Sequence, residues 1–471
     1  ALNAGAQETF ERIVHSDMWY MDGMSSIDDG DGFIVNVRCS DPPGSFYFTS
    51  LLRLAADGRT TDSVGCQTPD GMPISVFDLI PDGDGTFRAA GMSYSENRRL
   101  TDIAVATYDR DLNMTECHVF KMDTVIVDGL SDLAHRAVRD PDGSIAIAGR
   151  VSLTDGYNGY FLARVSTDGK LQSFKTDLMF DDNPYYFMHD FFIMRTQPLE
   201  YGLTCFAPDG PITMVPMLYV YDADFNEIES RTLTSFQCGD NMPYQTYYIG
   251  TGNPTKMLAL NDSTFYTFTQ LTYSNYSSIV RGAGVMRFNR DFVIDGYSFT
   301  RAVEGDSYER TPYHAAFYLD DEGLVGCATG HSKDWLYPDK FYIVRYDYDL
   351  NIVWQRVYRF TDRFIDPYWI CRTADGGSLI AGSTFKGECP SGTELYDLYL
   401  LKVNGDGVVA ANGEVIEAVP FLVYPNPASN TLHVDISPDV ADQVSEISLF
   451  DISGRLVKAQ QSGFGSIDIS G

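Results

Sequence analysis

At 471 residues the chain exceeds what one compact core can cover unless that core is divided among repeats. A formal charge of −31 opposes binding to nucleic acid or to an anionic membrane, since attraction to phosphate needs the other sign, and no run of about 18 apolar residues is present to span a bilayer. The eight cysteines form no Cys-x-x-Cys pair, which sets aside zinc ribbons and thioredoxin-like redox sites. Their even number suits an exported protein without fixing which would pair, and buried free thiols are an equal reading for Cys327 and Cys371.

The chain opens on Ala1 with no charged and apolar leader, as expected of an exported protein whose signal peptide has been removed. Residues Glu8 to Val14 resemble the last strand of later units, such as Val353 to Phe360, so they are expected to pair with the final unit and close a ring, removing a free sheet edge.

From there the sequence is periodic. Asp57, Asp111, Asp168, Asp224, Asp291, Asp349 and Asp406 each follow an apolar strand, at spacings of 54, 57, 56, 67, 58 and 57 residues, which defines seven units. Four residues before the aspartate, five units carry a base (Arg53, Arg164, Arg287, Arg345 and Lys402), while Thr107 and Val220 stand at that place in the other two. A second turn lies 26 to 31 residues upstream in most units, at Asp31-Gly32, Asp84-Gly85, Asp142-Gly143, Asp262-Ser263, Glu322-Gly323 and Asp375-Gly376, with a degenerate Tyr201-Gly202 in the fourth. Two hairpins per unit mean four strands, and four short strands repeated without any helical period predict a seven-bladed β-propeller over residues 1–415. An open β-solenoid, whose rungs would be shorter and flatter, fits less well.

Ile27-Asp-Asp-Gly-Asp-Gly-Phe33 and Pro81-Asp-Gly-Asp-Gly-Thr86 carry the oxygen-rich spacing a calcium ion could use, but they lack the later ligands of a calcium loop. They read as hairpin turns in which Asp and Gly accept the required backbone angles, so no cofactor is expected and Ca2+ is not favoured. The seven histidines include no close pair, no metal site is expected, and no catalytic nucleophile can be identified. The longer connections, which a propeller gathers at the other end of its ring, are rich in aromatics: Asn183 to His189, Asn241 to Tyr248, Tyr308 to His314, His331 to Tyr337 and Asp366 to Trp369. Aromatic plates beside polar groups can stack on sugar rings while the polar groups address hydroxyls. The residues expected to contact a ligand are Tyr186, His189, Asp190, Tyr248, Arg310, His314, Trp335, Asp366 and Trp369. Two functions follow. One is a non-catalytic binder of a glycan or a protein; the other is a secreted polysaccharide hydrolase or lyase using His189, His314 or Asp366 as acid or base near the channel mouth.

The last stretch differs from the rest. Tyr424-Pro425-Asn426-Pro427 fixes two φ angles and removes two donors, and so reads as a linker ending in a turn. Leu432, Val434 and Ile436 then alternate with polar residues as in a half-buried strand, and Ile447 to Phe450 and Leu456-Val457 supply further strands around the turn Asp451-Ile-Ser-Gly454-Arg455. These two motifs, in this order, resemble the C-terminal sorting domain of type IX (Por) secretion cargo of Bacteroidota-type bacteria. The resemblance covers residues 418–471 and implies a small Ig-like β-sandwich. It further implies recognition by outer-membrane secretion and sortase machinery, and release or display at the surface of a Gram-negative cell. The family continues with a Gly-Tyr-containing strand and a Lys-bearing last strand not found before Gly471, so the domain is read as incomplete. Units six and seven also resemble, weakly, blades of delta-60-type propellers from secreted cargo, which implies fold alone. A monomer is expected.

Overall fold

The computed structural model describes residues 9–15, 20–40, 47–94, 101–121, 136–152, 158–179, 187–208, 214–232, 256–275, 278–300, 308–310, 317–331, 340–360, 363–386, 396–409, 421–424, 431–436, 446–450, 456–460 and 466–468. All of its regular structure is β.

The chain enters with β1 (Phe10–Val14) and then lays down seven antiparallel blades. Blade one is β2 (Tyr20–Asp28), β3 (Gly32–Ser40), β4 (Tyr47–Ala55) and β5 (Thr60–Gly65). Blade two is β6 (Ile74–Pro81), β7 (Phe87–Tyr94), β8 (Thr101–Tyr108) and β9 (Met114–Phe120). Blade three is β10 (Arg136–Arg139), β11 (Ile145–Ser152), β12 (Asn158–Val165) and β13 (Leu171–Met179). Blade four is β14 (Phe187–Thr196), β15 (Leu199–Pro208), β16 (Met214–Asp222) and β17 (Glu227–Thr232). Blade five is β18 (Met257–Asn261), β19 (Thr264–Asn275), β20 (Ser278–Asn289) and β21 (Ile294–Phe299). Blade six has five strands, because both β22 (Tyr308–Arg310) and β23 (Phe317–Asp320) pair with β24 (Gly323–His331), followed by β25 (Lys340–Tyr346) and β26 (Ile352–Arg359). Blade seven takes β27 (Arg363–Arg372), β28 (Ser378–Lys386) and β29 (Asp397–Val403) from this end of the sequence and its fourth strand from the other, with β1 pairing β29 from Phe10↔Lys402 to Val14↔Leu398. The closure expected from residues 8–14 is therefore present.

The first strands of the blades touch one another in an unbroken circle, β2–β6–β10–β14–β18–β23–β27–β2, and so line the axis. Fourth strands face outward: β5 and β17 are mostly exposed, whereas β3 and β25 are buried throughout. The core is divided among seven apolar clusters, one at each interface between neighbouring blades. Second and third strands are buried on both faces, which explains why they read as runs of small and β-branched residues without strict alternation.

Turns within each blade carry the sequence period. Asp109 Oδ1 accepts from Asp111 N at 2.9 Å and Asn113 N at 2.8 Å, and Asp222, Asn289 and Asn404 do the same for their own turns. This folds the backbone so that one residue takes φ > 0. Gly58, Gly169 and Gly407 occupy that place in three blades, but Leu112 (φ 60°), Phe225 (61°), Phe292 (53°) and Leu350 (68°) occupy it in four. Each of those four side chains is buried, so packing offsets the roughly 1–2 kcal/mol that a left-handed conformation costs an L-residue. Three of the bases before the turns hydrogen-bond to acids of the first hairpin, Arg164 Nε to Asp140 Oδ2 at 2.7 Å, Arg345 Nη2 to Asp320 Oδ2 at 2.7 Å and Lys402 Nζ to Asp375 Oδ2 at 2.6 Å, whereas Arg287 Nε donates to Asp295 Oδ1 of the fourth strand at 2.7 Å. Blade two, which has Thr107 at this place, moves the base directly across the ladder: Arg88 pairs Thr107 in register and donates to Asp82 Oδ1 at 2.6 Å.

Two expectations need correction. In blade four the first hairpin turns at Gln197-Pro198, and Tyr201-Gly202 lie inside β15; Gly202 is required there because a Cβ would stand 2.4 Å from the Phe192 ring. In the tail, the residues before Pro425 form a strand where a linker was expected: β30 (Phe421–Tyr424) pairs β31 (Thr431–Ile436), and Pro425 ends it. β31 also pairs β34 (Ser466–Asp468), while β32 (Ile447–Phe450) and β33 (Leu456–Gln460) form a separate two-stranded sheet.

Candidate functional site

Register places one residue of each first strand at the same height around the axis. Counting three residues along each second strand from the residues opposite Leu54, Tyr108, Val165, Tyr221, Phe288 and Val403 of the third strands gives Asn36, Ala90, Ala148, Thr204, Phe268 and Ala381. Their first-strand partners are Ser25, Asp78, Arg136, Asp190 and Trp369, and Lys256, one residue ahead of the pair Met257↔Thr267, stands opposite Phe268. The matching position of blade six lies outside the described residues. A register shift comes just before Ser25, Asp78, Asp190 and Trp369, so each follows a bulge, the device by which a strand re-aims a side chain.

Charges alternate around this layer: Asp78, Arg136, Asp190, Lys256. Arg136 Nε donates to Asp190 Oδ1 at 3.0 Å, with both residues buried. Each aspartate also receives a main-chain donor from the next blade, Ala137 N to Asp78 Oδ2 at 2.8 Å and Met257 N to Asp190 Oδ2. Lys256, half-buried, places Nζ 5.1 Å from the centroid of the Trp369 ring, spanning from blade five to blade seven. Burial pushes the Asp78 carboxyl up to about 6, with Arg136 and the Ala137 N–H opposing the shift. Burial likewise raises Asp190, and it lowers the Lys256 ammonium, an effect that Arg136 reinforces and Asp190 and Asp78 oppose. The Cys371 thiol, 3.1 Å from Ser26 Oγ, is held up by burial. Among the described residues the layer thus holds two carboxylates, two cationic groups and one aromatic plate.

Of the residues singled out from sequence, Asp190 and Trp369 belong to this ring, and Asp366 lies half-buried on β27 three residues before Trp369. His189 occupies the bulge before Asp190, Arg310 lies on β22 and Tyr424 ends β30. Tyr186, Tyr248, His314 and Trp335, with Pro425, Asn426, Pro427, Asp451, Gly454 and Arg455 of the tail motifs, lie outside the described residues. Sequence reasoning missed Asp78, Arg136 and Lys256. A usable signal existed for the first two, since Ala90-Gly91, Ala148-Gly149 and Ala381-Gly382 mark the ring's height on the second strand, and the residue across the hairpin is the ring member. The two acidic loops serve as turns: Asp28 Oδ1 accepts from Gly30 N at 2.8 Å, Asp29 Oδ1 from Asp31 N at 3.0 Å and Asp84 Oδ1 from Thr86 N at 2.9 Å.

No curated protein sequence matches the chain. Among solved structures, it is similar to the β-propeller domain of the trilobed protease from Pyrococcus furiosus, with 8% identity and a TM-score of 0.42, over 84% of this chain and 100% of that one. It is also similar to the acylaminoacyl peptidase of Pyrococcus horikoshii, with 8% identity and a TM-score of 0.42, over 80% of this chain and 52% of that one. The endo-arabinase of Bacteroides thetaiotaomicron is 16% identical at a TM-score of 0.29, over 43% of this chain and 77% of that one. Likenesses this distant carry no argument about activity. The tail is different, for residues 422–470 match the family described as the secretion system C-terminal sorting domain. Those residues are a type IX sorting domain, which marks for export the seven-bladed propeller that precedes it.

Proposed function

We infer that the protein is an exported, non-catalytic binding protein that takes a glycan or protein ligand at the long-loop end of the propeller, above the charge ring. The observation that carries this reading is the ring itself. Its buried carboxylates already hold fixed donors, Asp190 from Arg136 and Met257 N–H and Asp78 from Ala137 N–H, so they are built as positioned charges more than as groups free to exchange protons with a substrate. Lys256, Trp369 and Asp366 are half-buried, and a ligand coming down from the loops meets them first. Tyr186, His189, Tyr248, Arg310, His314 and Trp335 would supply the stacking and polar contacts above. The tail sheets would pack as an Ig-like sandwich presented to secretion and sortase machinery in a Gram-negative outer membrane. A glycan array and a protein pull-down on the full chain test the reading: Trp369→Ala combined with Tyr248→Ala should lower ligand binding at least about 10-fold, about 1.4 kcal/mol. Binding untouched by the pair would refute the loop-end assignment.

A polysaccharide hydrolase or lyase is the second reading, favoured by one observation, the Asp78 carboxyl pushed up to about 6 at the axis. Shortened or unsaturated saccharides released by the wild-type chain, and lost in Asp366→Asn or Asp78→Asn, would replace the binding reading with this one.

A further inference from the structure

We propose that the ligand met at the axial ring is a saccharide with one carboxylate on its bound unit, a uronic acid, and that Lys256 is the residue that selects it. This rests on the loop-end reading above and narrows its ligand to one chemical class.

Lys256 is a cation without a counter-ion among the described residues. Its main chain is fixed, because its carbonyl accepts from Thr267 Oγ1 at 2.9 Å and the next amide, Met257 N, donates to Asp190 Oδ2. Its side chain does not follow the amide to that acid. Among the described residues Lys256 Nζ forms no hydrogen bond and no ion pair, and it ends 5.1 Å from the centroid of the Trp369 ring on the far side of the layer. The two ring acids are engaged elsewhere: Asp190 Oδ1 takes Arg136 Nε at 3.0 Å, and Asp78 Oδ2 takes Ala137 N at 2.8 Å. Lys256 is also the cation that a ligand can reach. Ser25, Asp78, Arg136 and Asp190 are buried, whereas Lys256 and Trp369 are half-buried, and Lys256 Nζ keeps contact with solvent.

An ammonium deep in a channel that faces only an aromatic ring is costly, and burial holds it below the ordinary lysine range. A carboxylate relieves that cost through charge-assisted hydrogen bonds from the N–H groups not turned to the indole. In a uronic acid the carboxylate is bonded directly to the pyranose ring, so the carboxylate held by Lys256 brings that ring beside Trp369, where its C–H groups can pack. Asp366 lies two ladder steps from Trp369 on the same face of blade seven and supplies an acceptor for hydroxyls on that side. A peptide carboxylate would bring a flexible chain with little to set against the indole. The −31 of the whole chain opposes polyanions, so a single carboxylate among hydroxyls fits better than a densely sulfated or phosphorylated polymer.

The test is calorimetric titration of the full chain, near neutral pH, with methyl β-D-glucuronide, its methyl ester, methyl β-D-glucoside and acetate. The glucuronide should saturate one site and bind at least about 10-fold more tightly than each of the other three, about 1.4 kcal/mol. Lys256→Met and Lys256→Gln should abolish that preference. Lys256→Met should leave the melting temperature unchanged or raise it, because an apolar stem of similar length replaces a lone buried charge. A fall in melting temperature would make Lys256 a structural residue and overturn its role. The proposal is equally overturned by no saturable glucuronide binding up to ~10 mM, by equal binding of the ester or of acetate, or by a preference that survives Lys256→Met. If the glycan array then shows neutral saccharides alone, or the pull-down a protein partner, the loop-end reading stands and only the uronic-acid class falls; if nothing binds, both fall.

Discussion

The two ends of each blade were shaped under different demands. At the turn end, one solution recurs: an Asp or Asn caps the turn in five blades, an apolar residue or glycine takes φ > 0 in all seven, and in four a base from one blade grips the turn of the next. Arg12 donates to Asp57 O at 3.1 Å, Arg53 to Asp111 Oδ1 at 3.0 Å, Arg231 to Asp291 O at 2.7 Å and Arg287 to Tyr348 O at 3.1 Å. At the axial ring the backbone position is repeated but the residue changes from blade to blade, through Ser25, Asp78, Arg136, Asp190, Lys256 and Trp369. Chemistry repeats where it serves closure of the ring and diverges where it meets the channel.

Three experiments sharpen that contrast. The largest effect belongs to closure. Removing residues 1–16 takes away the fourth strand of blade seven and with it Phe10, buried beside Phe33 and filling the space under Gly58, so the melting temperature should fall further than for any point change. Phe10→Ala alone should cost about 3 kcal/mol in chemical denaturation. An unchanged melting curve for the deletion would mean the ring closes by other means.

Next comes the ring. Asp78 ionises at about 6 when folded against 3.8 ordinarily, so the folded state holds its proton more tightly than the unfolded chain. Its contribution is therefore fully present below pH 3.8 and is lost as pH rises to about 6, by up to about 3 kcal/mol. Asp78→Asn should flatten the pH dependence of unfolding free energy between those limits. A variant whose stability falls across that window as steeply as the wild type would show that Asp78 ionises normally.

The smallest effect tests whether the turn-end solution is transferable. Arg88→Thr removes the donor to Asp82 and to Gly143 O at 2.7 Å and should cost about 2 kcal/mol. Adding Thr107→Arg places a base where five other blades carry theirs, directly across the ladder, and should restore about half of the loss. No recovery in the double variant would mean that the base is tied to its own strand.

Legibility in the sequence follows the same division. Seven blades, their turns and the N-terminal closing strand were readable because turn chemistry is local: Asp111 and Asn113 declare the turn that Asp109 caps. Gln197-Pro198 escaped notice because it makes the same hairpin with other residues. The ring was mostly hidden because its successive members lie 53 to 113 residues apart, and each sits in its strand beside apolar neighbours that give no sign of a shared axis. Asp190 was reached as the polar neighbour of an aromatic connection and Trp369 as a member of one, although Asp366 to Trp369 lie inside β27 and not in a loop, whereas Arg136 and Lys256 each stand at a strand start that resembled ordinary connection.

One consequence of the closing strand concerns time. β1 cannot find β29 until residue 403 exists, some 390 positions after Phe10, so the first strand made is the last one satisfied. Until then a sheet edge in blade seven and an unpaired β1 persist together, a long-range pairing that slows folding and leaves partners exposed. The sorting domain at 422–470 begins 19 residues after Val403, so the last strand that the ring needs and the export address lie almost side by side in the sequence.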